Sequence, residues 1–202
     1  MVRIVAFLAM FAAALALRAP AAPAADPAAQ AVESFHEALI GVMKNAERLG
    51  FRGRYEALSP VLAKMFNLPY MARVAVGAYW DKFDDAQRKT LIDAFTRMTV
   101  ATYADRFDSF SGERFRLDGT TPSRGDAVVV ASAIVKSNGE AVPLNYFMRP
   151  TEDGWKAIDV FLKSGISELA TKRSEYASIL SRAGFDALIA EIDRKVKTIS
   201  GG

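Results

Sequence analysis

The stretch Asp126–Leu162, which reads DAVVVASAIVKSNGEAVPLNYFMRPTEDGWKAIDVFL, decides the fold of this chain. Valine, isoleucine and aromatic residues are frequent in it, and these residue types are enriched in β-strands. Asn138-Gly139 is a strong signal for a two-residue hairpin turn, and Pro150–Gly154 is a second turn signal. The stretch therefore predicts an antiparallel meander of three strands, over residues 126–136, 141–149 and 155–163.

The predicted turns also assign side chains to the two faces of the sheet. A two-residue loop places Ser137 opposite Glu140, and this register decides every later pair because side chains alternate along a strand. The second turn keeps the parity and places Tyr146 opposite Ile158. One face is then wholly apolar, and we expect it to face the core. It consists of Val129, Ala131, Ala133, Val135, Val142, Leu144, Tyr146, Met148, Ile158, Val160 and Leu162.

Helical periodicity precedes and follows this meander. Before it, apolar residues recur at three- and four-residue spacings, and Asp84 with Gln87 forms a capping-box pattern at the start of a long helix. After it, Gly184 is a natural C-cap between two helical segments. This order predicts an α+β domain with helices packed on a curved antiparallel sheet. The predicted helices span residues 28–49, 54–66 with a break at Ser59-Pro60, 69–77, 84–110, 167–183 and 185–199, and residues 114–118 alternate as a strand.

The N-terminal residues have the pattern of a secretory signal peptide. A basic start at Arg3, an uncharged apolar run from Ile4 to Leu17 and an Ala-x-Ala exit ending at Ala24 are typical of such a segment. A membrane-spanning helix needs about 20 apolar residues, more than this run provides. We expect residues 1–24 to be a cleaved signal peptide and residues 25–202 to be one domain. Cleavage lowers the formal net charge from +3 to +1, which does not support binding to nucleic acid.

The residue inventory favours binding over catalysis. The sequence has no cysteine and one histidine, His36, which we expect at the surface or the core edge. Thiolate metal sites and a cysteine nucleophile therefore have no basis, and a histidine-rich metal site has too few residues. No nucleotide-binding or nucleophile-elbow motif is present. We predict no catalytic residue, no metal site and no cofactor.

The apolar face of the predicted sheet allows two interpretations. Ala131 and Ala133 lie beside Leu144 and Tyr146, so helix side chains could fill the gaps above the alanines. Alternatively, the small residues leave room for an apolar ligand between sheet and helices. Periodicity alone does not separate a filled core from a lined cavity. The candidate lining residues are Val129, Ala131, Ala133, Leu144, Tyr146, Met148, Ile158 and Val160 from the sheet, and Phe66, Met71, Val74, Phe95 and Met98 from the helices.

A set of short segments occurs in an order and spacing that are fairly specific. The segments are residues 55–58, 66–67, 71–73, 77–80, 87–88, 101–104, 154–160, 165–167 and 173–176. Together they resemble the MlaC family, periplasmic phospholipid carriers also called toluene-tolerance or ABC-transporter auxiliary proteins. The resemblance covers about residues 31–193, and it departs mildly from the family pattern at Asn67, where Asp is usual, and at Tyr176, where Phe is usual. The stretch from Phe35 to Leu49 looks closest to the HpnM branch, which is associated with hopanoid biosynthesis.

The resemblance implies a periplasmic shuttle that buries acyl chains between a twisted sheet and surrounding helices. Its ligand would be a phospholipid or a hopanoid, and its partners an inner-membrane lipid transporter and an outer-membrane lipoprotein complex. Basic residues of the last helices, Lys172, Arg173 and Arg182 or Arg194, Lys195 and Lys197, are candidates for docking on an acidic transporter subunit, or else form an ordinary solvated face.

Two other classes of protein remain open. One is an enzyme of the nuclear-transport-factor-like cone, a fold that shares the plan of helices on a curved sheet. Asp159 and Tyr146 are its only tempting acid/base pair, and the predicted register points them to opposite faces. The other is a structural adaptor, for which we expect a filled core.

Overall fold

A computed structural model describes residues 26–162 and 165–201. The predicted signal peptide lies outside these ranges. The helices are α1 (Pro27–Met43), α2 (Ala46–Met65), α3 (Leu68–Val76), α4 (Asp85–Arg106) and α5 (Glu168–Ile199), with a 3-10 helix over Gly77–Lys82. The strands are β1 (Arg114–Pro122), β2 (Val128–Val135), β3 (Ala141–Thr151), β4 (Gly154–Leu162) and β5 (Ile166–Ser167).

The strands form one antiparallel sheet in the order β1-β2-β3-β4-β5. Each strand pairs with its neighbour in the chain, as a meander requires. The predicted α+β class is therefore confirmed, and the predicted three-stranded meander gains β1 and the short β5 at its edges. The helices pack against one face of this sheet, where the main core lies.

Two helix boundaries follow the sequence signals and one does not. Gln87 donates its backbone N–H to Asp84 Oδ1 at 2.8 Å, and Asp84 donates its own to Gln87 Oε1 at 3.2 Å, so the capping box is formed. Gly184 interrupts α5 with φ 80° and ψ −171°. The predicted break at Pro60 is wrong, because α2 continues through it and leaves helical geometry at Gly50 instead. A left-handed φ is open to glycine. A proline removes one donor and crowds the preceding turn, but the backbone of α2 stays helical at Pro60.

The predicted register of the first hairpin is wrong by one residue. Lys136 donates its N–H to the Glu140 carbonyl at 2.9 Å, and Gly139 donates to the Lys136 carbonyl at 2.9 Å. The loop therefore has three residues, with Gly139 at φ 86°, as in hairpins that combine a type I turn with a left-handed residue. Val130 lies opposite Tyr146, where Ala131 was expected.

This shift exchanges the two faces of β2. Val128 and Ile134 now share the face of Tyr146, and Val129, Ala131 and Ala133 lie on the opposite face. A slip of one residue turns every side chain of a strand over, since the side-chain period is two. The residues that face the helices from β2 are therefore the larger ones.

The second hairpin is tighter than predicted and contains a bulge. Thr151 pairs with Gly154, and the tighter turn together with the bulge places Tyr146 opposite Val160 and not opposite Ile158. Phe147 pairs with Asp159 but Met148 pairs with Ala157, which leaves Ile158 as the extra residue of the bulge. Val160 and Leu162 keep the predicted face, and Ala157 joins it.

A buried arginine joins the helical layer. Arg54 of α2 is 9% exposed, and its guanidinium donates to the carbonyls of Ala104 at 2.8 Å and of Ala46 at 3.1 Å. It therefore satisfies carbonyls near the C-terminal end of α4 and at the first turn of α2. Among the helices within the described ranges, none has both the length and the hydropathy of a membrane span.

The break in α5 generates a test of the fold. Gly184→Ala is expected to lower the free energy of unfolding by about 1–3 kcal/mol, because its backbone conformation is essentially restricted to glycine. A Cβ there would meet nothing within 4 Å, so the effect is one of backbone conformation alone. The measurement is urea unfolding monitored by circular dichroism.

Gly41→Ala is the matched control for this substitution. Gly41 lies in the last turn of α1, has no positive φ, and a Cβ there also meets nothing within 4 Å. Its replacement is expected to stabilise the protein by about 0.5–1 kcal/mol. Equal effects of the two substitutions would show that α5 has no glycine-dependent break.

Candidate ligand-binding cavity

A cavity of about 210 Å³ lies between the inner face of the sheet and α3, α4 and α5. Its sheet side consists of Ile134, Val142, Pro143, Leu144, Val160 and Leu162. Its helix side consists of Phe66, Met71, Phe95, Met98, Thr99, Thr102, Tyr103, Arg106, Phe107, Glu168, Leu169, Lys172 and Tyr176. The sheet and helix layers thus enclose a space that their side chains do not fill.

The inner part of the cavity is apolar and buried. Phe66 and Met71 enter it from the α2–α3 corner, and Phe95 and Met98 enter it from α4. All four side chains are at most 8% exposed. Apolar cavities of this kind stay dry and accept apolar ligands, because water finds too few hydrogen-bond partners inside them.

The mouth of the cavity carries charged side chains. Arg106 comes from the last turn of α4, and Glu168 and Lys172 come from the first two turns of α5. Burial lowers the pKa of Lys172, and the positive charge of Arg106 lowers it further, whereas Glu168 opposes both effects. The two cations therefore exceed the single carboxylate at this rim.

The start of α5 is tied to the sheet by Asp159. Its carboxylate accepts hydrogen bonds from the Ser167 hydroxyl at 2.5 Å and from the Leu169 N–H at 3.1 Å. Ser167 in turn accepts from the Ala170 N–H at 2.8 Å as the N-cap. These bonds satisfy free N–H groups of the first turn. They hold Glu168 and Lys172 at the cavity mouth.

Six of the predicted site residues line the cavity: Phe66, Met71, Phe95, Met98, Leu144 and Val160. Tyr146 and Met148 lie on the same face of β3 but are fully buried in the core beyond it. The structure thus brings the four aromatic and methionine side chains predicted from the helices to one cavity. Leu144 and Val160 of the sheet line the same cavity.

The other five predicted residues do not line the cavity. Val129, Ala131 and Ala133 lie on the opposite face of β2 because of the three-residue hairpin loop. Ile158 is the extra residue of the β4 bulge. Val74 is on the flank of α3, whose buried stripe is formed by Met71, Ala72, Ala75 and Val76.

Sequence reasoning missed the charged residues at the mouth, four residues of the strands and six of the helical side. The strand residues are Ile134, Val142, Pro143 and Leu162, and the others are Thr99, Thr102, Tyr103, Phe107, Leu169 and Tyr176. Ile134 would have been found if the hairpin loop had been assigned three residues. Tyr176 recurs at four-residue spacing after Glu168 and Lys172, so a helical projection of α5 could have placed the three together. Arg106 has no such signal, since only the tertiary fold brings the end of α4 beside the start of α5.

A buried polar pair lies at the other side of the core. His36 Nε2 is 3.0 Å from the Tyr146 hydroxyl, and the imidazole stacks on Phe115 at 4.0 Å between ring centroids. His36 is 4% exposed at the core edge, and burial lowers its pKa to about 4. Tyr146 is thus partnered by His36 while Asp159 caps α5, so the tempting acid/base pair is not assembled.

The fold and the cavity define an α+β domain with an apolar chamber open at a charged rim. The family model described as MlaC protein matches residues 33–194. The chain belongs to the MlaC family.

A solved structure shares this fold. It is a phospholipid-binding protein from Ralstonia solanacearum, determined in complex with a phospholipid. The TM-score is 0.77 at 21% sequence identity, and the match covers 87% of this chain and 99% of that chain. At this identity the similarity establishes the architecture of helices on an antiparallel sheet.

The buried histidine predicts a pH-dependent stability. Between pH 6.5, the ordinary pKa, and about 4, the unfolded chain binds a proton at His36 that the folded protein does not. Stability therefore rises with pH in this window, and the contribution of about 3 kcal/mol present above it is lost as the pH falls. Urea unfolding at several pH values measures the slope.

His36→Gln is the control, because it removes the only histidine of the sequence and keeps a polar partner for Tyr146. The variant is expected to show a shallower decline of stability between pH 6.5 and 4. The same slope in both proteins would assign the pH dependence to carboxylates instead.

Proposed function

We propose that this protein is a lipid carrier that holds the tails of one lipid in its apolar cavity. The observation that carries the proposal is the chamber between sheet and helices, which is apolar inside and charged only at its mouth. The complex of the Ralstonia solanacearum protein with a phospholipid supports a ligand of that class in a protein of this fold.

Sequestration of apolar surface supplies the binding energy. Each methylene group transferred from water to an apolar site contributes about 0.8 kcal/mol. Acyl tails or a pentacyclic skeleton would therefore bind firmly among Phe66, Phe95 and Leu144 without any charged contact inside. We propose no chemical conversion of the lipid. The acid/base pair that the sequence offers, Asp159 and Tyr146, is occupied by hydrogen bonds to Ser167 and His36, respectively.

The charges at the mouth suit an anionic headgroup. Burial is the main cause of the lowered Lys172 pKa, and the charge of Arg106 adds to it. A phosphate placed between Arg106 and Lys172 would offset the repulsion between these two cations. Glu168 offsets one of the two positive charges, so the rim keeps a moderate excess of positive charge. We therefore expect the headgroup to remain at the rim in contact with water while the tails enter the chamber.

We place this carrier in the periplasm, between an inner-membrane lipid transporter and an outer-membrane lipoprotein complex. The family resemblance supports this location, and the HpnM-like segment extends the candidate ligands to hopanoids. Among the basic residues that were candidates for docking, Lys172 lines the rim of the cavity. Arg194 and Lys195 form ion pairs with Glu191 and Glu175, respectively. Arg173, Arg182 and Lys197 are thus the better candidates for contact with an acidic partner.

Blocking the cavity tests the proposed function. Thr102 of α4 lines the cavity, and its hydroxyl donates to the Met98 carbonyl. Thr102→Trp is expected to lower the amount of lipid that copurifies by about tenfold or more, since displacing only two methylene groups has that effect on affinity. Native mass spectrometry of protein purified from its own host measures the bound lipid and its mass.

Thr90→Trp is the matched control, because Thr90 is an exposed residue of the same helix whose hydroxyl donates in the same way to the Ala86 carbonyl. It should retain the lipid at the wild-type level. A folded wild-type protein that carries no lipid and takes none from vesicles would contradict the carrier.

The rim generates a second test. Lys172→Met is expected to weaken the binding of phosphatidylglycerol by about tenfold or more, through loss of one charge-assisted hydrogen bond. Lys197→Met removes the same charge at an exposed position near the other end of α5 and should have no effect. Displacement of a fluorescent lipid measures both affinities. Equal affinities of the two variants would exclude Lys172 from the headgroup site.

A further inference from the structure

One buried polar atom of a residue that lines the cavity has no partner. Tyr176 of α5 lines the cavity and is 2% exposed. Its hydroxyl oxygen is buried and makes no hydrogen bond to any described residue. A buried hydroxyl without a partner is unfavourable, and native proteins usually provide a protein, water or ligand partner for one. Tyr146 of β3 is also buried, and its hydroxyl is satisfied by His36.

The position of Tyr176 along α5 relates it to the charged rim. Glu168, Lys172 and Tyr176 follow one another at four-residue spacing, so they lie on one face of the helix. Tyr176 is one turn beyond Lys172, a rise of about 6 Å along the axis. A lipid whose charged group lies at the rim would have its first uncharged polar atoms near this depth, before its hydrocarbon begins.

We infer that the Tyr176 hydroxyl is a hydrogen-bonding site for an uncharged oxygen of the bound lipid, such as the ester carbonyl of a phospholipid or the hydroxyl of a polycyclic lipid. This inference rests on the proposed function. Burial raises the pKa of Tyr176, so the phenol remains a donor at neutral pH. The cavity would then select lipids with an oxygen at this depth over lipids that are pure hydrocarbon there.

Competition between matched lipids tests the inference. The full-length protein is mixed with equal amounts of two phosphatidylglycerols of identical chain length, one ester-linked and one ether-linked, which differ in the carbonyl oxygens. Native mass spectrometry separates the two complexes by mass. The wild-type protein is expected to favour the ester lipid by about three- to tenfold, the effect of one hydrogen bond. Tyr176→Phe should bind both lipids about equally.

A second competition distinguishes the source of the oxygen. It uses a pentacyclic triterpene alcohol and its parent hydrocarbon with the same two proteins. A preference that is lost in Tyr176→Phe in either competition supports the site and identifies its acceptor. Tyr70→Phe is the matched control, because Tyr70 is an exposed tyrosine of α3 that does not line the cavity, and it should keep the wild-type ratio.

The possible failures are distinct. Wild-type ratios near one in both competitions, or ratios that Tyr176→Phe leaves unchanged, would overturn the hydrogen-bonding role while the carrier function stands. Absence of every lipid from the folded wild-type protein would instead contradict the proposed function itself.

Discussion

The pairing of β2 with β3 is the constraint on which the cavity depends. Val130 lies opposite Tyr146, and Ile134 lies opposite Val142, so the larger side chains of β2 face the helices. Because Gly139 closes a three-residue loop, no residue of this hairpin can slip without exchanging the two faces of the strand. Ser132 and Asn145 hydrogen-bond across the two strands at the centre of the hairpin, which adds a side-chain contact to the same register.

The helices complete the cavity without filling it. The α2–α3 corner is joined to β4 by the hydrogen bond from the Asn67 N–H to the Ala157 carbonyl at 2.9 Å. The start of α5 is joined to the same strand by Asp159. These two attachments fix the helical ends around the sheet, and α4 lies between them. Protein interiors are close-packed, so a cavity of this size is unusual in a core without a function. Ligand sites, in contrast, are usually preformed cavities.

The charged residues of the cavity wall form one group. Arg106, Glu168 and Lys172 lie at the mouth, and Tyr176 is one helical turn further along α5. Apart from Thr99 and Thr102, the other lining side chains are aromatic, methionine and aliphatic. A membrane lipid has the same order of charge, uncharged oxygen and hydrocarbon. The charged, polar and apolar parts of the cavity wall thus match the corresponding parts of a membrane lipid. This match is the physical basis of the proposed function.

Sequence by itself determined the α+β class, the capping box of α4, the break at Gly184 and the apolar helix residues Phe66, Met71, Phe95 and Met98. These features depend on local signals, namely periodicity, capping side chains and glycine conformations, which act within a few residues of the chain. The sequence also placed Leu144 and Val160 on the inner face, since their parity survives both turn errors.

Only the tertiary structure decided the rest of the site. The Asn138-Gly139 signal predicts a two-residue loop, but the loop has three residues. This difference of one residue turns β2 over, so Val129, Ala131 and Ala133 all lie on the outer face of the sheet. Arg106 and Tyr176 both line the cavity because α4 and α5 converge over the sheet, although 69 residues of chain lie between them. Whether a sheet face is fully covered depends on the distances between layers, which alternation and helical spacing do not encode.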